Sequence, residues 1–282
     1  MSAPPSPFSY RPNQPMLSND PYNFKFKESK LHYYYDRTPF LFMKKVPNTT
    51  IYDSLEDKWY SGEAPFIELL KLESEFKNPW VEKILTEKKS SHILDLGCGG
   101  GFLSNYLGQK HFNVTGIDIS SSSLEIAKKY DTSQKVNYIL GDIHSLPFED
   151  QSFDAICAMD ILEHIEDYPT LLKECSRILR PGGIFLFHTF SKNLLSWLIV
   201  IKGMEIFYPT APKDLHLYEY FISPKDLISQ MNQNHLKLDF IKGTGPIIWK
   251  SLFQSFIKRR SFFIFEFKPV TWCGYLGYST RK

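Results

Sequence analysis

The sequence predicts an α/β protein with a mainly parallel, seven-stranded sheet covered by helices on both faces. Three observations carry that reading. Beyond residue 92, short apolar segments alternate with amphipathic helical ones. The apolar segments are continuous runs, as strands buried on both faces are. The first of them, HILDLG, also runs directly into a glycine-rich loop and then a helix, and sheets of this kind bind ligands beyond the carboxyl ends of their strands.

Residues 1–45 are rich in Pro, Asn, Ser and Tyr, show no helical or strand period, and are expected to form an irregular arm. Residues 46–282 form the folded domain. IYDSLEDKWYSG, PFIELLKLESEF and PWVEKILTEKK repeat apolar residues at three and four, so helices open the domain. The core, 92–190, then alternates. HILDLG is a strand and FLSNYLGQK a helix. NVTGIDI is the second strand and SLEIAKKY the second helix of the core, with Ser122 and Glu125 at capping-box spacing. VNYILGD and FDAICAMD are the third and fourth strands. YPTLLKECSRIL is a helix stopped by RPGG, and GIFLFHTF is the fifth strand. A hydrophobic insert spans 193–216. SPKDLISQMNQN is a helix with Ser223 as N-cap and Pro224 in its first turn. LKLDFIKGT and TWCGYLGYSTR supply the closing strands.

Composition excludes some function classes. A net charge of +2 gives no concentrated basic face for nucleic acid. The four cysteines have no CxxC or metal-type spacing, which suits reduced core residues of a cytoplasmic protein. The opening MSAPPSPFSYRPNQP lacks the apolar region of a secretory signal. No apolar run reaches the roughly 18 residues that span a bilayer. The nearest is LLSWLIVIKGMEIFY (194–208), which Lys202, Gly203 and Glu205 interrupt. It is apolar almost all round and carries Trp197, so it suits a helix lying in a membrane interface, a peripheral contact. The alternative is an ordinary covering helix packed on the sheet. KRRSFF (258–263) is either a basic contact to anionic lipid or a solvated loop.

The loop DLGCGGGF (95–102) is where chemistry starts. Gly97, Gly99 and Gly101, with Cys98 between the first two, let the backbone approach a ligand closely at a helix N-terminus. A dinucleotide fingerprint needs a glycine or alanine at its sixth position, and Phe102 stands there. Three acids end three consecutive strands instead. Asp95 precedes the loop; Asp118 closes the second strand, where a carboxylate can accept both ribose hydroxyls; Asp142 closes the third, where an adenine amino group can be held. Ile119 and Ile143 follow the last two acids. An amine, a ribose and an adenine without phosphate make up S-adenosylmethionine, whereas a diphosphate would be repelled by so many carboxylates.

Loop, acids and RPGG turn together resemble the Rossmann-like fold of class I methyltransferases. The chain further resembles the 3-demethylubiquinol 3-O-methyltransferase family, which methylates polyprenylated phenols and catechols in quinone synthesis. YDSLEDKWYSG (52–62), NP (78–79), CAMDILEH (157–164) and KNLLSWLIVIKGMEIFYPTAPKDLHLYEYFISPKDL (192–227) carry the likeness, which runs from about residue 50 to the end. The resemblance implies an S-adenosylmethionine-dependent O-methyltransferase acting on a lipophilic phenol or catechol of ubiquinone biosynthesis. It also implies Met159 against the adenosyl group, a hydrophobic insert that meets the membrane, and Asp160, Glu163 and His164 as ligands of a divalent cation (Mg, Mn or Zn). Such a cation would acidify a phenol whose pKa is near 10. The residues alone leave alternatives open. Met159 suits a core methionine as well, and His164 suits a general base or orienting group, or part of a polar strand edge. The chain departs from the family at Val81, where an arginine is common, and at Asp160, one methylene shorter than the usual acid. Those departures keep two further readings in play: methylation of carbon or nitrogen in another small molecule, or a silent cofactor-binding member of a biosynthetic complex.

Overall fold

The computed structural model describes residues 50–247 and 263–282. The arm expected over 1–45 and the basic part of KRRSFF lie outside the described residues. A 3₁₀ turn (Thr50–Ser54) and the short α1 (Lys58–Ser61) lead into α2 (Pro65–Glu87). The sequence suggests a break at Asn78-Pro79, yet α2 runs through it for 23 residues. A proline inside a helix costs about 3 kcal/mol. Burial of Phe66, Ile67, Val81, Ile84 and Leu85 on either side of Pro79 offsets that cost.

The alternation then proceeds as β1 (His92–Leu96), α3 (Phe102–Gln109), β2 (Asn113–Asp118), α4 (Ser121–Lys129), β3 (Asn137–Leu140), β4 (Phe153–Met159), α5 (Tyr168–Ile178) and β5 (Leu179–Phe190). Three cores of one helical stretch follow: α6 (Leu194–Ser196), a π-helical segment (Trp197–Lys202) and α7 (Gly203–Phe207). The chain closes with α8 (Pro224–Gln233), β6 (Leu236–Pro246), β7 (Phe265–Lys268) and β8 (Gly274–Arg281). Short polar side chains start the helices. Asp167 Oδ1 accepts from Thr170 N–H ahead of α5, and Ser223 Oγ accepts from Asp226 N–H ahead of α8. For α4 the cap is Ser120, which accepts from Ser123 N–H, and not Ser122, whose hydroxyl instead donates to Asp53 O. The helix begins earlier than expected because Asp118 Oδ1 accepts from Ser120 N–H and turns the chain there.

The strands form one sheet in the order β3-β2-β1-β4-β5-β8-β6-β7. The first five are mutually parallel, and β8, β6 and β7 add by antiparallel pairing. The count is eight where the sequence suggested seven. The extra strand, FEFK of β7, is four half-buried edge residues whose Phe-Glu-Phe-Lys alternation is too short to stand out from the aromatic run before it. Across the register, Ile93, Ala155 and Ile184 pack toward α2 and α3, while Leu94, Ile156 and Phe185 face the opposite core. The order in which successive strands are added switches sides between the parallel neighbours β1 and β4, so a crevice opens at their carboxyl ends. No helix among the described residues is long and apolar enough to cross a membrane.

At the opposite edge of the sheet, Asp154 ties the amino ends of β1 and β4 together. From β4 its Oδ2 accepts from Ser91 N–H (3.1 Å), Ser91 Oγ–H (2.7 Å) and His92 N–H (2.9 Å), and its Oδ1 accepts from Arg180. Burial alone would raise the carboxyl's pKa, but these donors outweigh it and hold the group well below the usual carboxylate range. The Asp154→Ala variant is expected to lose about 1–3 kcal/mol of stability at neutral pH. The depressed pKa makes the contribution complete above the unfolded value of about 3.9; below it the contribution shrinks, and it is lost as pH falls through the folded value. Denaturant unfolding from pH 7 to pH 3 should therefore show the gap between native and variant closing on acidification.

Candidate active site

The cofactor cradle is built from backbone. Gly97, Gly99 and Gly101 all have positive φ (65°, 51° and 85°), so the loop can curl between β1 and α3 only with glycine there. A Cβ on Gly97 would lie 2.6 Å from Ile161, and one on Gly99 would lie 2.9 Å from Trp59. Asp118 stitches the loop to β2, accepting from Gly99 N–H at 2.8 Å. Burial raises its pKa against that bond and the one from Ser120. Asp95 sits beneath, accepting from Ser104 Oγ–H at 2.6 Å, and burial pushes its pKa up to about 7, with Asp118 adding to the rise. Asp142 is half-exposed and is braced by His144 through the backbone N–H and Nδ1, both at 2.9 Å.

One cavity of about 930 Å³ takes in Asp95, Gly97, Cys98, Gly99 and Asp118, then Ile119, Asp142, Ile143 and Met159. Two of the sequence-picked residues contribute differently from the rest. Gly101 does not line the cavity; it caps α3, where a Cβ would strike Tyr138 and Ala127. Cys98 turns its side chain into a small core with Leu124, Ala127 and Tyr138, leaving its backbone to shape the loop. Ile119 is 78% exposed while lining the cavity, an apolar surface of the kind that an adenine ring covers. Glycine backbone, ribose-type acid and that apolar ledge fit S-adenosylmethionine. Sequence reasoning gave Tyr52 and Trp59 no role. They stack over the loop with ring centroids 5.6 Å apart and close this end of the cavity, with Trp59 Nε1 buried and unpartnered.

The three residues of MDILEH expected to share a cation do not come together. A helix would have put them on one face, but the chain kinks instead: Asp160 has φ 59°, and only Leu162–His164 form a 3₁₀ turn. Asp160 points at α2. Its Oδ2 accepts from Lys77 Nζ and its Oδ1 pairs with His188 Nδ1. Lys77 is 1% exposed and also lies 3.7 Å from Glu73. Burial works against the ammonium, but Asp160 and Glu73 outweigh it and raise its pKa. Burial likewise opposes the Asp160 carboxylate, and Lys77 and His188 overcome it, holding that group well below the usual range. Glu73, Asp160 and His188 could group around a cation, but the Lys77 ammonium already supplies the positive charge there.

Glu163 and His164 turn the other way and meet His216, which the insert delivers; one donor atom from each lies within 4.8 Å of the others. Glu163 Oε2 accepts from Thr189 Oγ–H at 2.9 Å, while Glu163 Oε1 and His164 Nδ1 are buried without a partner. Burial, reinforced by Asp160, raises Glu163 to about 8; burial lowers His164 to about 4 and His216 to about 3. A carboxyl that would give up its proton on binding and two neutral imidazoles fit a divalent cation of the zinc or manganese type. The group that could hold one is Glu163, His164 and His216, with Asp160 committed elsewhere. Val81 is wholly buried against Ile84 and Leu103, so it offers the cavity nothing. The cation that α2 presents to the cavity is Lys77, one turn earlier.

Beyond these clusters the cavity turns apolar, bounded by Leu198, Ile199, Val200, Phe207, Phe263 and Phe265. Comparison with known proteins agrees with this architecture. A family model described as a methyltransferase domain matches residues 94–187. A ubiquinone biosynthesis O-methyltransferase of Coxiella burnetii is 34% identical over 194 residues, covering 68% of this chain and 82% of its own. One from Bordetella avium is 30% identical over 195 residues, covering 68% and 80%. Among solved structures, a SAM-dependent methyltransferase of Thermotoga maritima superposes with a TM-score of 0.55 at 19% identity, covering 82% of this chain and 99% of its own. A Pyrococcus horikoshii protein gives 0.52 at 21%, covering 74% and 89%. The two structural likenesses show the fold, and the sequence relatives show more: the chain is an S-adenosylmethionine-dependent methyltransferase and belongs to the ubiquinone biosynthesis O-methyltransferase family.

Proposed function

We propose that this enzyme methylates a phenolic oxygen of a catechol or phenol carrying a long apolar tail, an intermediate of ubiquinone biosynthesis. The observation that carries the reading is the continuity of the cavity. It leads from the cofactor cradle, past two buried polar clusters, to a wall of Leu198, Ile199, Val200, Phe207 and Phe265. A head-group with hydroxyls would sit at the clusters, and a tail would lie along the wall. The names borne by the relatives point to the same substrate class.

Bound S-adenosylmethionine supplies an electrophilic methyl group on a good leaving group. The protein's part is then alignment and deprotonation. A cation held by Glu163, His164 and His216 would lower the pKa of a phenol. His164 and His216, kept neutral by burial, would offer lone pairs to it. The aromatic roof of Tyr52 and Trp59 keeps water from the glycine loop.

Tail entry favours a membrane surface. Leu194, Leu198, Ile206 and Phe207 are 75%, 54%, 70% and 47% exposed, and the last three also line the cavity, so its mouth and an exposed apolar patch are continuous. Such a patch suits a helical stretch lying in a lipid interface.

Methyl transfer from labelled S-adenosylmethionine to a short-tailed polyprenyl catechol is the direct test. Transfer should be detectable, fall at least tenfold on chelation and return with one of Mg, Mn or Zn; Glu163→Gln should show the same loss without rescue. Transfer unaffected by chelation would remove the cation from this reading, and no transfer to any phenol or catechol would remove the substrate. In a vesicle-sedimentation assay, Leu198→Ser combined with Ile206→Ser should release most of the protein from lipid while leaving cofactor affinity unchanged. Full retention on vesicles would overturn the interfacial role.

A further inference from the structure

We propose that Thr244 is a catalytic residue: its hydroxyl takes the hydrogen bond of the acceptor's reacting O–H and passes its own proton to the buried His188 behind it. This inference rests on the methyltransferase reading above and goes beyond it by naming a second proton-handling group, separate from Glu163, His164 and His216.

Topology places Thr244 on the acceptor side. The cofactor cradle uses the ends of β1, β2 and β3, and Asp160 stands at the tip of β4. The other half of the same sheet edge is formed by β5, β8 and β6, where Phe190, Gly274 and Thr244 lie side by side in register. All three line the cavity.

Behind Thr244 runs a hydrogen-bonded chain. His188 Nε2 is 2.8 Å from Thr244 Oγ1, and His188 Nδ1 pairs with Asp160 Oδ1. A carboxylate on Nδ1 holds the proton on that nitrogen, which leaves Nε2 as the lone pair that accepts from the threonine hydroxyl. A carboxylate, an imidazole and a hydroxyl in this order move a proton from the hydroxyl to the ring in acyl-transfer enzymes. Here the hydroxyl is a relay and not the nucleophile. His188 is wholly buried and does not line the cavity, while Thr244 does, so the threonine hydroxyl connects the imidazole to a ligand.

Two further features belong to such a relay. Gly274 is small where it must be: a Cβ there would lie 2.6 Å from Thr244 Oγ1 and 3.0 Å from His188 Nε2, crowding the hydroxyl. Glu73 Oε1 lies 3.6 Å from His188 Nε2, on the opposite side of the ring from Asp160's partner nitrogen, so carboxylates flank both nitrogens. Lys77 bridges the two carboxylates and fixes them. The ring is thereby held in place, with Asp160 at Nδ1, the Thr244 hydroxyl at Nε2 and the Lys77 ammonium 3.4 Å from Nδ1.

The step balances. As the acceptor oxygen forms its bond to the methyl carbon, the carbon–sulfur bond breaks and its electron pair stays on sulfur. The acceptor's proton moves to Thr244 Oγ1, and the threonine's original proton moves to His188 Nε2. Release to solvent after product departure resets the chain.

The test uses two acceptors that differ in acidity. An ordinary catechol must be deprotonated during transfer, whereas a nitrocatechol is already largely ionised at neutral pH. Thr244→Val keeps the shape and removes the hydroxyl. It is expected to lower kcat about 100-fold on the ordinary catechol, the scale of a lost general base, and to leave turnover of the nitrocatechol within about threefold. Thr244→Ser restores the hydroxyl and should recover most of the loss. Cofactor affinity by calorimetry should be unchanged in both variants, which separates the relay from a folding defect. Equal loss on both acceptors, no loss on either, or a serine variant as poor as the valine one would each overturn the relay. Wild-type enzyme that methylates neither catechol would overturn the functional reading itself and this inference with it.

Discussion

The Lys77 ammonium is buried against the Asp160 carboxylate, and the layout of the active site depends on that contact. It joins α2, which packs across one face of the sheet, to the tip of β4 at the crevice where ligands bind. An unpaired charge at either position would cost several kcal/mol, so the pair forces helix and strand into one relative position. It also explains a strained residue. Asp160 takes a left-handed backbone, rare for a residue with a Cβ, and in doing so swings its carboxylate away from the 3₁₀ turn that follows and toward α2.

That single turn of the backbone divides what the sequence presents as one motif into two clusters. On one side lie Glu73, Lys77, Asp160, His188 and Thr244. On the other lie Glu163, His164 and His216. The clusters differ in how well they are satisfied. The first is closed, with every charge partnered; the second keeps an acceptor oxygen and a ring nitrogen without partners. Buried polar groups are almost always bonded, so an unspent pair inside a cavity marks a place where something else supplies the partner. Both clusters face one apolar cavity, where low dielectric strengthens each interaction made in it.

The sheet was legible because its evidence is local. Continuous apolar strands, short polar caps such as Asp167 and Ser223, and the glycine loop state their geometry within a few residues. The cofactor half was legible for the same reason, since Asp95, Asp118 and Asp142 each lie at or just beyond the carboxyl end of a strand and only the parallel order of those strands is needed to align them. What failed to show was whatever depended on long-range placement. Asp160, Glu163 and His164 have helical spacing, and a period cannot reveal that φ turns positive at Asp160. His188 and Lys77 reach Asp160 from 28 and 83 residues away. Each did leave a signal: FLFHTF sets a histidine within an apolar strand, and Glu73 with Lys77 forms an i, i+4 charge pair on the side of α2 that is buried.

The same reasoning separates the two departures from the family pattern. Val81 is absorbed into the core between α2 and α3, where an arginine could not be buried without a partner, so in this chain the position serves packing. Asp160 holds a polar place, and its partners are Lys77 and His188. A carboxylate one methylene shorter reaches less far along the turn, and a lysine and a histidine come to meet it from α2 and β5. A positive charge beside that carboxylate is therefore supplied by the chain itself. Among the described residues, only Glu163, His164 and His216 are left with capacity for an external cation, and on the proposed reading an acceptor hydroxyl would be addressed from two walls of the cavity at once.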